Sequence, residues 1–195
     1  MKMKTALTVL VALVATTACE QVPQTPEEQS VLEPREYVMP TEYNWGDPAP
    51  ALEAWRYVTT KRGWTQENIL AWEPFVTEVM RTESGFCPNV RRGAILADPI
   101  GCVIKTQGLH SDSGFGQVLG GYPNRKGWVY GGTSWKLNEH ASWMCAQEGL
   151  CTPDEIIANP EASMTALVAL IERGGNSGWC YTPKLRKSHR CRIAP

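Results

Sequence analysis

The sequence lacks the short motifs that identify several large classes of enzyme. It has no P-loop, no glycine pattern of a Rossmann dinucleotide site and no HExxH zinc motif. Nor does one sign of charge dominate, because 19 basic residues stand against 20 acidic ones and give a net charge of −1. A dedicated nucleic-acid binder is normally strongly basic. The sequence therefore argues against nucleotide-dependent enzymes, zinc peptidases of that type and nucleic-acid binding.

Candidate metal ligands are sparse as well. No CxxC pair occurs, and the three histidines are scattered along the chain. His110 and His140 have no neighbouring residues that would make them convincing ligands or bases. We therefore expect neither a metal site nor an organic cofactor.

A long apolar run is also missing near the N-terminus. The run from Ala6 to Ala15, broken by Thr8, is too short for a membrane-spanning helix but suits a signal peptide that begins with basic residues. Small residues then precede Cys19, and this arrangement resembles the lipobox of bacterial lipoproteins. We expect residues 1–19 to be a signal peptide and Cys19 to be lipidated, which would anchor an exported protein on the outer side of a membrane. Ordinary secretion is the alternative.

The remainder of the chain divides by composition. Residues 20–50 are rich in Pro and Glu and are predicted to form an extended tether. Residues 51–195 are predicted to form one folded domain, since 195 residues suit a single domain with terminal extensions. A hydrophobic content of 43% is enough for a packed core.

The number of cysteines predicts disulfide bonds. Seven cysteines leave six if Cys19 carries lipid, and an even set in an exported chain predicts disulfides. Six cysteines allow 15 pairings, and we predict the sequential one because it closes only short loops. The predicted pairs are Cys87 with Cys102, Cys145 with Cys151, and Cys180 with Cys191.

Periodic apolar residues predict a mainly helical domain. A first helix ends near Gly63, Thr65 caps a short second helix over residues 66–71, and Pro74 begins a third that ends at Gly85. The apolar stripes of the first and third helices are Leu52, Trp55 and Thr59, and then Val76, Val79 and Met80.

The second half of the chain has a different pattern. Residues 87–135 are predicted to be loops, with a small hairpin over residues 100–106. A capping box at Thr152 and an Asn-Pro pair at Asn159 then predict two helix starts. The apolar stripe of the last helix is Met164, Leu167, Val168 and Ile171.

Glu83 is the residue that points to chemistry. It continues the apolar stripe of its helix into the last turn. Desolvation and the negative end of the helix dipole would both raise its pKa. A protonated glutamic acid near neutral pH can donate a proton to a glycosidic oxygen. From spacing alone, a surface glutamate at a helix end is the alternative.

Three segments resemble the motifs of soluble lytic transglycosylases and goose-type lysozymes. Glu83-Ser84-Gly85-Phe86-Cys87-Pro88-Asn89 is similar to the E-S-G-x-x-P-N signature of that family, and Ser113-Gly114-Phe115-Gly116-Gln117 is similar to its second motif. Gly178-Trp179-Cys180-Tyr181-Thr182 looks like a variant of the third. The resemblance covers residues 70–182.

This resemblance implies a lysozyme-like α+β fold with disulfide-stapled loops and a peptidoglycan glycan substrate, with Glu83 as general acid. Ser84 and Gln117 would line the glycan cleft, and Tyr181 would bond near Glu83. The alternative for each is a structural role, in which Ser84 caps the helix, Gln117 bonds backbone and Tyr181 fills the core. Trp179 is a candidate for stacking against a sugar ring. Two positions depart from the family, since Gly116 stands where relatives have a larger apolar residue and Thr182 stands where they have Asn.

The reaction outcome stays open at this point. Hydrolysis with inversion needs a second carboxylate to activate water, and Asp112 is the candidate base. A lytic transglycosylase does not need one, since the substrate's N-acetyl group assists and a 1,6-anhydro product forms. The sequence slightly favours this lyase. A glycan-binding module without activity and a disulfide-rich lipoprotein with a structural role are the alternatives.

The C-terminal basic cluster is predicted to be a solvated tail held by Cys191. Attraction to an anionic wall polymer is the alternative. The cluster consists of Lys184, Arg186, Lys187, Arg190 and Arg192.

Overall fold

The computed structural model describes residues 36–40, 46–119, 121–124, 127–130, 135–180 and 183–195. Side chains are not described for Leu119 and Leu185 or within residues 121–140. The predicted signal peptide and Cys19 lie outside the described residues. Most of the predicted tether also lies outside them, but its last residues do not extend freely, because the first helix begins at Pro48.

The described chain is mainly helical. Helix α1 is Pro48–Lys61 and helix α2 is Gln66–Glu83. Three further helices follow the strand region, namely α3 (Trp135–Glu148), α4 (Pro153–Ile156) and α5 (Pro160–Gly174). A short 3-10 turn at Gly175–Gly178 precedes α6 (Pro183–Arg186) and α7 (His189–Arg192).

Six short strands form three separate antiparallel pairs between α2 and α3. They are β1 (Ile95–Asp98) with β2 (Val103–Thr106), β3 (Asp112–Ser113) with β4 (Val118–Leu119), and β5 (Gly121–Asn124) with β6 (Gly127–Tyr130). The predicted hairpin is therefore present with wider bounds. The other two pairs fall where loops were predicted, because their strands are too short to show alternation in the sequence.

The prediction of two separate helices before and after Pro74 is wrong, because α2 is one continuous helix. Thr65 does cap the helix by accepting a hydrogen bond from the Asn68 N–H, but the helix then continues through Pro74 to Glu83. Pro74 removes the bond that its N–H would donate to the Leu70 carbonyl. Both residues lie on the exposed face, where water can bond that carbonyl instead.

Two later helix starts were predicted correctly. The capping box at Thr152 is complete, and the Asn159 side chain accepts a bond from the Ala162 N–H at the start of α5. Helix α3 was not predicted, since its apolar residues follow no regular helical spacing.

The largest part of the core lies between α1, α2 and α5. The predicted stripes of these helices are buried, and Phe115 from the β3–β4 turn fills the space between α2 and α5. Trp55 and Phe75 are the largest fully buried side chains of this core. A smaller cluster packs α3 and α4 against the outer side of α5.

All six predicted disulfide cysteines are paired, and the sequential pairing is confirmed. One bond ties the segment after α2 to the β1–β2 hairpin, another ties α3 to the start of α4, and the third ties Cys180 to α7. A 15-residue loop closed in this way contributes about 3 kcal/mol in the chain-entropy description. Three disulfides are typical of a protein that folds in an oxidising, exported environment.

Membrane insertion through a helix has no support in the described residues. None of the helices there combines the length and the apolar character that crossing a bilayer would need.

The hydroxyl of Ser163 gives a direct test of how the β3–β4 turn is held. It lies on α5, is almost fully buried, and accepts the Phe115 N–H at 2.8 Å. Ser163→Ala removes the side-chain acceptor of that buried N–H, which should lower the free energy of unfolding by about 1–3 kcal/mol. Thermal denaturation measures the effect. Ser142→Ala on the exposed side of α3 is the control, and equal stability of the two variants would show that the Phe115 bond is not needed.

Candidate functional site

The end of α2 presents Glu83 beside an unusual stretch of backbone. Glu83 is the last residue of the helix, and the Ser84 N–H closes it by bonding the Met80 carbonyl at 3.1 Å. Gly85 and Phe86 then follow with φ values of 60° and 67°. A left-handed conformation is rare for a bulky residue such as phenylalanine. It turns the chain sharply and allows the Phe86 ring to enter the core.

Ser84 connects this helix end to the second motif. Its hydroxyl lies 3.1 Å from the Met80 carbonyl and 3.0 Å from the Phe115 carbonyl, and it donates its single hydrogen between them. The side chain is buried. Because its hydrogen is already used, Ser84 could bond a sugar only by accepting a hydrogen bond, and its predicted role in glycan binding stays a prediction.

The second motif forms the tight turn between β3 and β4. The Gly114 N–H bonds the Val90 carbonyl at 2.8 Å, and the Gln117 side-chain amide donates to the Val90 and Gly114 carbonyls. Gln117 has a φ of 49° and a buried Oε1 with no protein partner among the described residues. Strained, incompletely bonded residues of this kind collect at functional sites. Gln117 therefore remains a candidate to meet a ligand.

Trp179 from the third motif closes over the turn. Its indole N–H donates to the Gly116 carbonyl at 3.0 Å, and its ring packs edge-on against Phe75 with the centroids 5.8 Å apart. Only 5% of the residue is exposed. The ring faces are therefore covered by packing in this structure, and the predicted stacking of Trp179 against a sugar stays a prediction.

The packing of Trp179 also explains the glycine at position 116. A Cβ atom there would lie 2.8 Å from Leu167 Cδ1 and 3.2 Å from Trp179 Cζ2. The tryptophan and the leucine thus occupy the space that a larger residue would need. Glycine at position 116 is therefore explained by the packing of this chain.

The three motif segments therefore meet at one place in the fold. Ser84 joins the first to the second, and Trp179 joins the third to the second. Tyr181 and Thr182 lie outside the described residues, so the predicted contact between Tyr181 and Glu83 is not tested.

Glu83 has an ionic partner that the sequence did not indicate. Arg190 Nη1 donates to Glu83 Oε1 at 2.5 Å, and 27% of the Glu83 side chain and 13% of the Arg190 side chain are exposed. The prediction of a solvated C-terminal tail is therefore wrong for Arg190. No periodicity or motif marks that arginine among its basic neighbours, although the adjacent Cys191 shows that the segment is held.

Glu78, earlier on α2, also lies close to basic side chains. Helix α7 packs against α2, and the hydrogen bond from Arg81 holds the pKa of Glu78 below its usual value, with smaller contributions from His189 and Arg190. Cations near a helix C-terminus are favourable because the helix dipole is negative there. The acidic end of α2 thus lies against a basic segment.

Asp112 directly precedes the second motif and is the first residue of β3. Its carboxylate lies 3.5 Å from Arg92 Nη1, and 70% of the Arg92 side chain is exposed. An exposed pair at this distance is weak, so Asp112 is held only loosely. Its backbone carbonyl is fixed more firmly, because it accepts the Arg92 N–H at 2.9 Å.

Potential metal ligands among the described residues are Cys, His, Asp and Glu side chains. The six cysteines form disulfides, and the described part of the chain holds no cluster of three His, Cys, Asp or Glu residues that could bind a metal ion.

A shallow depression of about 360 Å³ lies elsewhere on α2. It is lined in part by Trp64, Asn68 and Trp72. At 1.5 Å of rise per residue, Trp72 precedes Glu83 by roughly 16 Å along the helix axis. The depression is therefore separate from the meeting point of the three motifs.

Comparisons with protein-family models, with curated proteins and with solved structures give no significant match to this chain. Function is therefore inferred from the types of residue present and their geometry.

Gly116→Ala tests the packing at the meeting point. The added Cβ must displace Leu167 or Trp179, and overpacking of this kind lowers the free energy of unfolding by about 1–3 kcal/mol. Thermal or urea denaturation measures the loss. Gly178→Ala is the matched control, since the nearest atom there is the flexible end of Leu170 at 3.2 Å, and it should lose less. A larger loss at Gly178 would contradict this account of Gly116.

Proposed function

We propose that this protein is an exported enzyme that cleaves peptidoglycan glycan strands between N-acetylmuramic acid and N-acetylglucosamine, with Glu83 as the general acid. The fold proposed for residues 51–195 is lysozyme-like. The observation that carries the proposal is the meeting of three motif segments, far apart in the sequence, at the C-terminal end of α2. Chance similarity in three separate segments gives no reason for them to be neighbours.

The chemistry asked of Glu83 is the transfer of one proton. A glycosidic oxygen is a poor leaving group until it is protonated, and a positioned carboxylic acid supplies that proton as the bond to C1 breaks. Arg190 bonds Oε1 only, and no described residue donates a hydrogen bond to Oε2. Among the described residues, Oε2 is thus the carboxyl oxygen that could meet the substrate.

The outcome that we propose is the lytic one, in which the N-acetyl group of the substrate assists and the sugar closes on itself to a 1,6-anhydro product. The loose hold on Asp112 supports this choice, because a base that activates water must be held at a set distance from the acid.

The envelope location belongs to the same proposal. The disulfides fit an exported protein, and Cys19 with the Pro- and Glu-rich segment after it would supply a lipid anchor and a tether. The tether would let a membrane-attached enzyme reach glycan strands in the wall.

One observation favours a second candidate function. The carboxylate that should act as an acid is engaged by an arginine, which suits a lysozyme-fold lipoprotein that binds glycan without cleaving it. Such a protein would sediment with purified peptidoglycan and release no products.

The decisive test uses the full chain folded under oxidising conditions beside Glu83→Gln. Mass spectrometry of the soluble products from purified peptidoglycan should find anhydro-muropeptides with the wild type and none with the variant. The glutamine keeps the size of the side chain but cannot donate the acid proton. Release from neither protein, with all three disulfides formed, would favour the binding module.

Asp112→Asn separates lyase from hydrolase. The substitution keeps the shape of the side chain and removes its basicity, so the lyase should retain activity close to that of the wild type. A loss of ~10²-fold or more, the size of a general-base contribution, together with reducing-end products would contradict the lytic outcome. The rate of muropeptide release measures both.

A further inference from the structure

The contacts of Arg190 differ from those of an ordinary surface arginine. Its Nη1 donates to Glu83 Oε1 at 2.5 Å and to Thr82 Oγ1 at 3.0 Å, and its Nη2 donates to the Trp179 carbonyl at 3.3 Å. Only 13% of its side chain is exposed. The guanidinium is thus fixed between the last turn of α2 and the third motif.

The Cys180–Cys191 disulfide explains how so short a segment can hold that position. Helix α7 has four residues, which is too few for a stable helix by itself. The disulfide joins the residue after Trp179 to the residue after Arg190, so it brings the arginine and its carbonyl partner together. Cys191 and Ile193 also pack against the main core.

Glu83 needs such support because of where it lies. It is the last residue of its helix and partly exposed, so its own helix leaves the side chain several rotamers. An arginine stays protonated throughout the pH range in which proteins fold, so its donors are always present. It holds Oε1 and leaves Oε2 without a described partner.

We propose that Arg190 is a positioning residue for Glu83, held in place by the Cys180–Cys191 disulfide, and that glycan cleavage depends on this ion pair. The inference rests on the proposed function. Arg190 orients the carboxyl so that the free oxygen meets the glycosidic oxygen, and it does not itself transfer a proton.

A purely structural role is the alternative explanation of the same contacts. A cation at the end of α2 would stabilise the helix whatever Glu83 does. Arg81 offers a matched comparison, since it is also an arginine paired with a glutamate of α2, namely Glu78, but its side chain is 59% exposed and it bonds Glu78 instead of Glu83. Loss of either arginine removes one ion pair from the same helix.

The test compares Arg190→Met and Arg81→Met in the full chain, with muropeptide release followed at several peptidoglycan concentrations. A misplaced catalytic group loses up to about 100-fold in rate. We therefore expect Arg190→Met to lower kcat by about 10- to 100-fold with little change in KM. Arg81→Met should keep both values near those of the wild type.

Arg190→Lys gives a second measurement that does not depend on the methionine variant folding. Lysine keeps the charge and the long stem, but its single ammonium group cannot span both Glu83 and the Trp179 carbonyl as the guanidinium does. It should fold, as judged by its thermal denaturation, and show a kcat between those of the wild type and Arg190→Met. If Arg190→Met does not fold, a kcat of Arg190→Lys below that of Arg81→Met still supports positioning.

The outcomes also separate this inference from the proposed function. An active wild type with Arg190→Met and Arg190→Lys at the level of Arg81→Met would overturn the role of Arg190 alone. A wild type that releases nothing under oxidising conditions would overturn both proposals.

Discussion

Both polar groups of the Phe115 backbone are bonded to side chains, and the site depends on this arrangement. The carbonyl accepts the Ser84 hydroxyl at the end of α2, and the N–H donates to the Ser163 hydroxyl on α5. Unpaired backbone groups are expensive to bury, so the turn can be buried only where both hydroxyls are present. The position of the β3–β4 turn relative to Glu83 is therefore set by two serines, one directly after α2 and one on α5.

Charge at the same helix end adds a second constraint. Glu83, the candidate acid, forms an ion pair with Arg190. The sequence of the segment around Arg190 predicts only a basic, solvated tail. Burial against the core alone would not fix the orientation of the Glu83 carboxyl group. The ion pair with Arg190 fixes that orientation. Burial cannot do so, because the hydrophobic effect has no preferred geometry.

The sequence predicts local features of this fold well and non-local ones poorly. The capping residues Thr65, Thr152 and Asn159 and the buried stripe of α5 follow from propensity and periodicity. Continuation of α2 through Pro74 does not, since it depends on which face of the helix meets solvent. The disulfide pairing was predictable because sequential pairing closes the shortest loops.

The candidate site shows the same division. Glu83 and the second motif could be identified from residue types and their order along the chain. The burial of Trp179 and the contact between Arg190 and Glu83 could not, because each joins residues more than 60 positions apart and neither follows a spacing rule. Gly116 departs from the family pattern for a reason that becomes visible only when Leu167 and Trp179 are placed around it.

The Cys180–Cys191 bond has a consequence for the time course of folding. Helices form within microseconds, whereas disulfides form over seconds to hours. The pair of Glu83 and Arg190 spans 107 positions of the chain and is secured by one of those slow bonds. The ion pair is therefore expected to be secured no faster than thiol oxidation allows, which is slower than the formation of the helices.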